Sequence, residues 1–147
     1  MRVFQLLAAS MVTSLLAVST LTSVSAAERP QAAALVCKAD EQAWFTTTLF
    51  FGRSIQSGGT VSDVEWLAFL SAEIIPRFPD GFTVSDAQGF WRGSAGDTKV
   101  ERSKMLIVAH PPKGEAEALF DEIIDAYKER FKQKSVLKTL ARTCIRF

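Results

Sequence analysis

Two cysteines, Cys37 and Cys144, stand 107 residues apart in a chain of 147. If they pair, they pair with each other, and the two ends of the folded chain must meet in space. Whether they pair depends on the compartment, because disulfides form and persist in oxidising surroundings. Residues 1–26, MRVFQLLAASMVTSLLAVSTLTSVSA, bear on that question. Arg2 precedes a long apolar run, and Val24, Ser25 and Ala26 supply the small residues of a cleavage step, which is the order of a secretory signal peptide. Cleavage is expected after Ala26, with Ala27 as the alternative. A retained membrane anchor is the competing reading, since residues 3–21 are just long enough to span a bilayer. Gln5, Ser10, Thr13, Ser14, Ser19 and Thr20 interrupt that run, which favours export. Lipidation of Cys37 is not expected, because Val36 is too large for the preceding position and Glu28, Arg29 and Pro30 separate Cys37 from the leader.

An exported chain with two cysteines is expected to carry the disulfide Cys37–Cys144. The chain-entropy account assigns a loop of this length about 4.7 kcal/mol, less any native strain. There is no Cys-x-x-Cys spacing, so the pair reads as a structural staple rather than a catalytic dithiol. Loss of Arg2 with the leader brings the 17 basic side chains level with the 16 acidic ones. The mature chain is then neutral, with no global reason to bind nucleic acid or to stay at a membrane. Its length fits one domain. The expected division is a signal peptide at 1–26, an N-terminal arm at 27–43 and a single domain at 44–147, placed in the periplasm or secreted.

The pattern of residues 44–55, WFTTTLFFGRSI, predicts a strand, being rich in β-branched and aromatic side chains. Ser62-Asp63-Val64-Glu65 is a capping box, with Val61 and Trp66 in the staple positions, and it opens a helix. Leu67, Leu70 and Ile74, widened by Phe69 and Ile75, form its expected apolar stripe, and Pro76 stops it. Residues 82–92 predict a second strand with a bulge at Gly89, and residues 99–110 a third. Residues 114–131 predict a second helix, with Ala116, Leu119, Phe120, Ile123, Ile124, Tyr127 and Phe131 on one face. Residues 136–147 predict the last strand. The order β-α-β-β-α-β implies an α+β fold, a ferredoxin-like two-layer sandwich whose antiparallel sheet runs 4-1-3-2. That topology sets the end of strand four beside the start of strand one, where Cys144 and Cys37 fall.

Several strings carry a likeness to a known family: FFGRS (50–54), VSDVEWLAFL (61–70) with IPRFPDGFTV (75–84), ERSK (101–104), VAHP (108–111) and AYKERFKQKSVL (126–137), followed by Cys144. In these the chain resembles domain-of-unknown-function family 3574, small exported bacterial proteins. The likeness covers most of residues 44–147. Lys134 departs from it, standing where the family string leads one to expect an acidic residue. The resemblance implies a bacterial secreted α+β domain and no activity.

Strand parity frames the candidate chemistry. Lys138, Arg142 and Arg146 alternate with apolar residues in strand four. Arg102, Lys104 and His110 share a face in strand three, and Asp86, Gln88 and Arg92 share one in strand two. Set together on the helix-free face, they would make it basic. Solvated side chains on an open sheet are the plainer account of the same pattern. Strands one and three are apolar on both faces, which calls for a cover, and a homodimer through the sheet face would supply it. Arg53, Arg92, Arg102 and Lys104 are the candidate ligand-binding residues, for an anionic small molecule or an envelope protein partner. Arg53 is also expected to approach Glu101 and tie the strands. Trp91 is a candidate stacking surface.

His110, the one histidine, is a candidate acid/base residue at a strand end. No metal or other cofactor is expected, because one His with scattered carboxylates has no ligand spacing. The preferred reading is a non-enzymatic binding or accessory module. The alternative is a cofactor-free enzyme with its site in a cavity between the sheets of a dimer, His110 as acid/base and Arg102 as anion anchor.

Overall fold

A computed structural model describes residues 35–112 and 114–147. The leader at 1–26 and residues 27–34 of the arm at 27–43 lie outside the described residues. Strand β1 (Gln42–Gly52) is followed by helix α1 (Asp63–Phe69), which runs into a π-helical turn (Leu70–Ile74). Strands β2 (Thr83–Arg92) and β3 (Thr98–His110), helix α2 (Ala116–Phe131) and strand β4 (Leu137–Ile145) complete the domain. All neighbouring strands are antiparallel, in the order β2-β3-β1-β4. Counted from the opposite edge, that order is 4-1-3-2. The fold is therefore α+β, with one four-stranded antiparallel sheet and two helices. No helix among the described residues is long and apolar enough to cross a membrane.

Alternation in β1 sorts its side chains. Thr47, Leu49 and Phe51 are buried beneath the helices, while Thr46, Thr48 and Phe50 face the other side. Leu106 and Val108 of β3 join the covered face, and Trp66, Phe69, Phe120, Ile123, Tyr127 and Phe131 close on them from the helices. The aromatic rings meet edge-on, with Phe51 and Phe69 at 4.7 and 5.1 Å from Tyr127. Such pairs add about 0.5–1.5 kcal/mol each beyond the area they bury.

Helix α1 begins as its sequence requires. Ser62 Oγ accepts from the Glu65 N–H at 3.2 Å, and Glu65 Oε2 accepts from the Ser62 N–H at 2.8 Å. The Ser62 hydroxyl also donates to Glu65 Oε2 at 2.6 Å, and this bond first, then the one from the Ser62 N–H, holds the Glu65 carboxyl below its ordinary value. The apolar stripe is displaced from expectation: Leu67 and Ile75 are exposed, and Trp66, Phe69 and Ile74 are buried. The π turn explains the shift. The Ile75 N–H bonds the Leu70 carbonyl, five residues back, so one added residue in the turn lets Ile74 follow Phe69 into the core. Glu73 is left to bind Arg77 at 2.9 Å.

Strand β2 pairs with β3 in unbroken register through Gly89↔Glu101, so the expected bulge at Gly89 does not form. The disulfide Cys37–Cys144 is present, with Cα atoms 5.5 Å apart. It lies where the start of β1 meets the end of β4, next to the pair Ala43↔Cys144.

Strand four reverses the expected placement of charge. Lys138 stands opposite Leu49, on the covered side, and its Nζ reaches Asp121 at 2.7 Å and Glu117 at 3.2 Å on α2. Arg142 lies over the Phe45 ring on that same side. The acidic edge of α2 overhangs β4, and a long lysine stem can cross apolar surface to reach it. The open face keeps the threonines and apolar residues instead.

Candidate functional site

Where β1, β2 and β3 run past the helices, the covered face carries an ion network. Arg53 Nε donates to the Val61 carbonyl at 2.7 Å, and Arg53 Nη1 lies 3.1 Å from Asp63 Oδ1. Lys104 Nζ lies 3.0 Å from the same Asp63 oxygen and 2.6 Å from Asp86 Oδ1. Both cations are 8% exposed, whereas both carboxylates face water. Hydrogen bonding from Lys104, then the charge of Arg53, holds the Asp63 carboxyl below its ordinary value. Asp86 in turn raises Lys104. Asp63 is also the first residue of α1, where a negative charge suits the helix dipole. The structure thus brings two of the four candidate ligand-binding residues together, with their charge matched within the fold. Arg92 and Arg102 are exposed at the margin of that face, and none of the four lines either of the two hollows described below. The expected Arg53–Glu101 contact does not form, because the two side chains leave the sheet on opposite faces.

His110 is also on the covered side. Its Nε2 is 2.9 Å from Thr47 Oγ1 and its Nδ1 is 3.2 Å from the Pro111 carbonyl. A hydrogen on Nδ1 satisfies both contacts, with the Thr47 hydroxyl donating to Nε2. Phe45 and Phe120 flank the ring, and the adjoining hollow holds about 90 Å³. His110 therefore cannot serve a cavity on the open face, as the enzyme alternative required.

The larger cavity lies on the other side of the sheet. A cleft of about 770 Å³ opens at the end of the open face where β1 finishes and the β2–β3 hairpin projects. Gly52, Ala87, Gly89 and Ser103 are small there and leave the space, while Phe50, Phe90 and Trp91 give it aromatic walls. Glu101 lies among the small residues. Its Oε1 accepts the Ser54 N–H at 2.9 Å, and its carboxyl group lies over Gly52, where an added Cβ would come within 2.7 Å of it. From beneath the sheet, the buried Tyr127 hydroxyl donates to the Gly52 carbonyl at 3.0 Å. Burial pushes that phenol well above its ordinary value, so it remains a donor. The remaining wall is the loop after α2, residues 132–135. Gln133 Nε2 fastens it to the Ser54 carbonyl at 2.8 Å.

Among the described residues, no lysine or arginine is ion-paired with Glu101. A carboxylate left without a counter-charge beside aromatic walls is suited to attract an organic cation, through Coulomb attraction and cation–π contact together. Trp91, the candidate stacking surface, lines the cleft. Glu101 was legible only as a partner for Arg53, because its role depends on the register Gly52↔Ser103, which puts Glu101 and the loop at Ser54 at the same end of the cleft. At the one ligand-rich cluster among the described residues, Cys37 and Cys144 beside Glu41, both sulfurs are committed to the disulfide.

Two of the strings that mark the chain meet in this cleft. FFGRS contributes Phe50, Gly52 and Ser54, and ERSK contributes Glu101 and Ser103, while Arg53 and Lys104 pass to the other face. No curated protein matches the chain in sequence. Among solved structures, a phage SAM lyase in complex with S-methyl-5′-thioadenosine is similar at TM-score 0.50 and 15% identity, over 84% of this chain and 97% of that chain. A phage SAM lyase in the apo state is similar at TM-score 0.46 and 18% identity, over 71% of this chain and 90% of that chain. At such identity the first likeness is one of fold. The model of the family described as protein of unknown function, DUF3574, matches residues 46–147, and the chain belongs to that family.

Proposed function

We propose that this domain is a small-molecule binding module whose ligand, a flat organic cation, sits in the open-face cleft against Glu101. The observation that carries this reading is the unpaired Glu101 carboxylate, held by Ser54 inside a 770 Å³ cleft with Trp91 and Phe50 on its walls. The anionic ligand first suggested by the arginines loses its support once Arg53 and Lys104 are matched by Asp63 and Asp86. Thermal shift tests the reading. Nicotinamide riboside, an aromatic cation, should raise the melting temperature of the wild type and have little effect on Glu101→Gln. Ligand at 100 times its dissociation constant stabilises by about 2.7 kcal/mol. An equal shift in both proteins, or stabilisation only by phosphate and citrate that Arg102→Ala abolishes, would reverse the assignment.

A second reading, an enzyme, is favoured by the fold likeness to the phage SAM lyase. S-adenosylmethionine is itself a sulfonium cation with a flat base. Under this reading the bond from the sulfonium sulfur to the aminobutyrate carbon breaks, the sulfur keeps the electron pair and leaves as S-methyl-5′-thioadenosine, and the substrate's own carboxylate closes on that carbon as homoserine lactone, with Glu101 beside the sulfonium. Chromatography of the incubated substrate decides the matter: product formation that Glu101→Gln abolishes supports an enzyme, and recovery of unchanged substrate removes it.

The same proposal keeps export, which the leader and the disulfide support, and keeps a second copy on the open face. Trp44, Phe50, Met105 and Ile107 are half-buried there although both helices lie on the other side. Light scattering on the mature chain should give the dimer mass; half that mass at every concentration would leave the face without this cover.

A further inference from the structure

We infer that the ligand of this cleft is dipolar, with its cationic group at Glu101 and an anionic group at Lys132 and Lys134. The inference rests on the cleft reading above and adds the second charge. It starts from the way α2 ends. The helix stops at Phe131, and Lys132 adopts the left-handed conformation, with φ at 53° and ψ at 38°. Glycine is the usual residue at such a cap, because any Cβ there costs about 1–2 kcal/mol. A lysine kept in this conformation exchanges stability for the placement of its side chain.

The loop that follows is pinned rather than loose. The Gln133 N–H bonds the Lys128 carbonyl at 3.1 Å, and Gln133 Nε2 donates to the Ser54 carbonyl at 2.8 Å. Ser54 is also the residue whose N–H holds Glu101 at 2.9 Å. One residue therefore fastens both the carboxylate and the loop that carries the two lysines. Lys132 and Lys134 flank Gln133, and both line the cleft.

The charges confirm a difference in use. Lys99, Lys104, Lys128 and Lys138 each sit within 3.2 Å of a carboxylate. Lys132 and Lys134 have no such partner among the described residues; Lys38 in the arm has none either, but it stands outside the cleft, and Glu101 has no basic partner. The cleft thus presents one unmatched anion and two unmatched cations across a space with aromatic walls. A ligand that carries a cation alone leaves the lysines unanswered. One that carries a single positive charge and, across a spacer, a doubly ionised phosphate answers all three and leaves cleft and ligand neutral together.

Calorimetric titration of the mature, disulfide-bonded chain with a matched pair of probes tests this. Nicotinamide mononucleotide and nicotinamide riboside share the pyridinium and the ribose and differ by the phosphate. The mononucleotide should bind the wild type at least about tenfold more tightly, within the range a charge-assisted phosphate contact supplies. A variant with Lys132→Gly and Lys134→Ala, which keeps the left-handed cap, should lose that preference and hold its riboside affinity. Equal affinity for the two probes in the wild type, or a preference that survives in the variant, would overturn the dipolar ligand while leaving the cation reading in place. Failure of both probes to bind would overturn the two together.

Discussion

Glycine 52 is where a single atom separates folding from function. Its backbone is held from one side by the Tyr127 hydroxyl, and the Glu101 carboxyl covers the other. A methyl group added there meets the far end of a flexible side chain, not backbone, so Glu101 can swing away at little cost to the fold. Gly52→Ala should therefore change the unfolding free energy by less than about 1.5 kcal/mol, the low end of overpacking costs. It should also weaken cation binding at least tenfold, because the carboxylate loses its Ser54 anchor. Urea unfolding and calorimetry on the same sample check both halves; intact binding with a large loss of stability would mean that Gly52 serves the core alone. The candidate residues were only partly legible for a related reason. Sequence alternation shows that Arg53 and Glu101 differ in parity from their neighbours, but not which face the helices take. Lys104 and Lys138 looked solvent-bound because a lysine is usually so, and only the overhang of α1 and α2 brings Asp63, Glu117 and Asp121 within their reach.

At the scale of elements, the Asp63 contacts join α1 to β1 and β3 through Arg53 and Lys104. The Asp63 carboxyl is held below its ordinary value when folded. A depressed carboxyl contributes stability above its unfolded pKa, near 3.9, and loses it as the pH falls through the folded value. The urea midpoint should therefore fall between pH 5 and pH 3, and Asp63→Asn should flatten that fall while lowering the midpoint at pH 7. An unchanged acid profile in the variant would place the acid sensitivity elsewhere. Most elements were legible because each announces itself: the Ser62–Glu65 box, the seven-residue apolar face of α2, the β-branched run of β1. The π turn was not. Nothing in LSAEI distinguishes it from α-helix, and it arises because Phe69 and Ile74 must both enter a core already filled by Phe51 and Tyr127.

On the scale of the whole molecule, the disulfide closes the sheet at the corner where both chain ends arrive. Reduction should lower the unfolding free energy by up to about 4.7 kcal/mol, the chain-entropy value for a loop of this length. Denaturation with and without a thiol reductant measures it, and an unchanged midpoint would show that the β1–β4 pairing alone holds that corner. The staple lies at the opposite end of β1 from Glu101, so reduction is expected to lower stability before it disturbs the cleft. The sheet thus has two working faces. One is closed by helices and balanced ion pairs, and the other is open, nearly uncharged, and carries the cleft at one end. Backbone and indole N–H resonances followed by NMR during titration with nicotinamide riboside test that division most directly. The Ser54 amide and the Trp91 indole should shift together, while His110 and its neighbour Thr47 stay in place. Shifts that gather around His110 and Arg102 instead would put the site on the covered face and contradict the account.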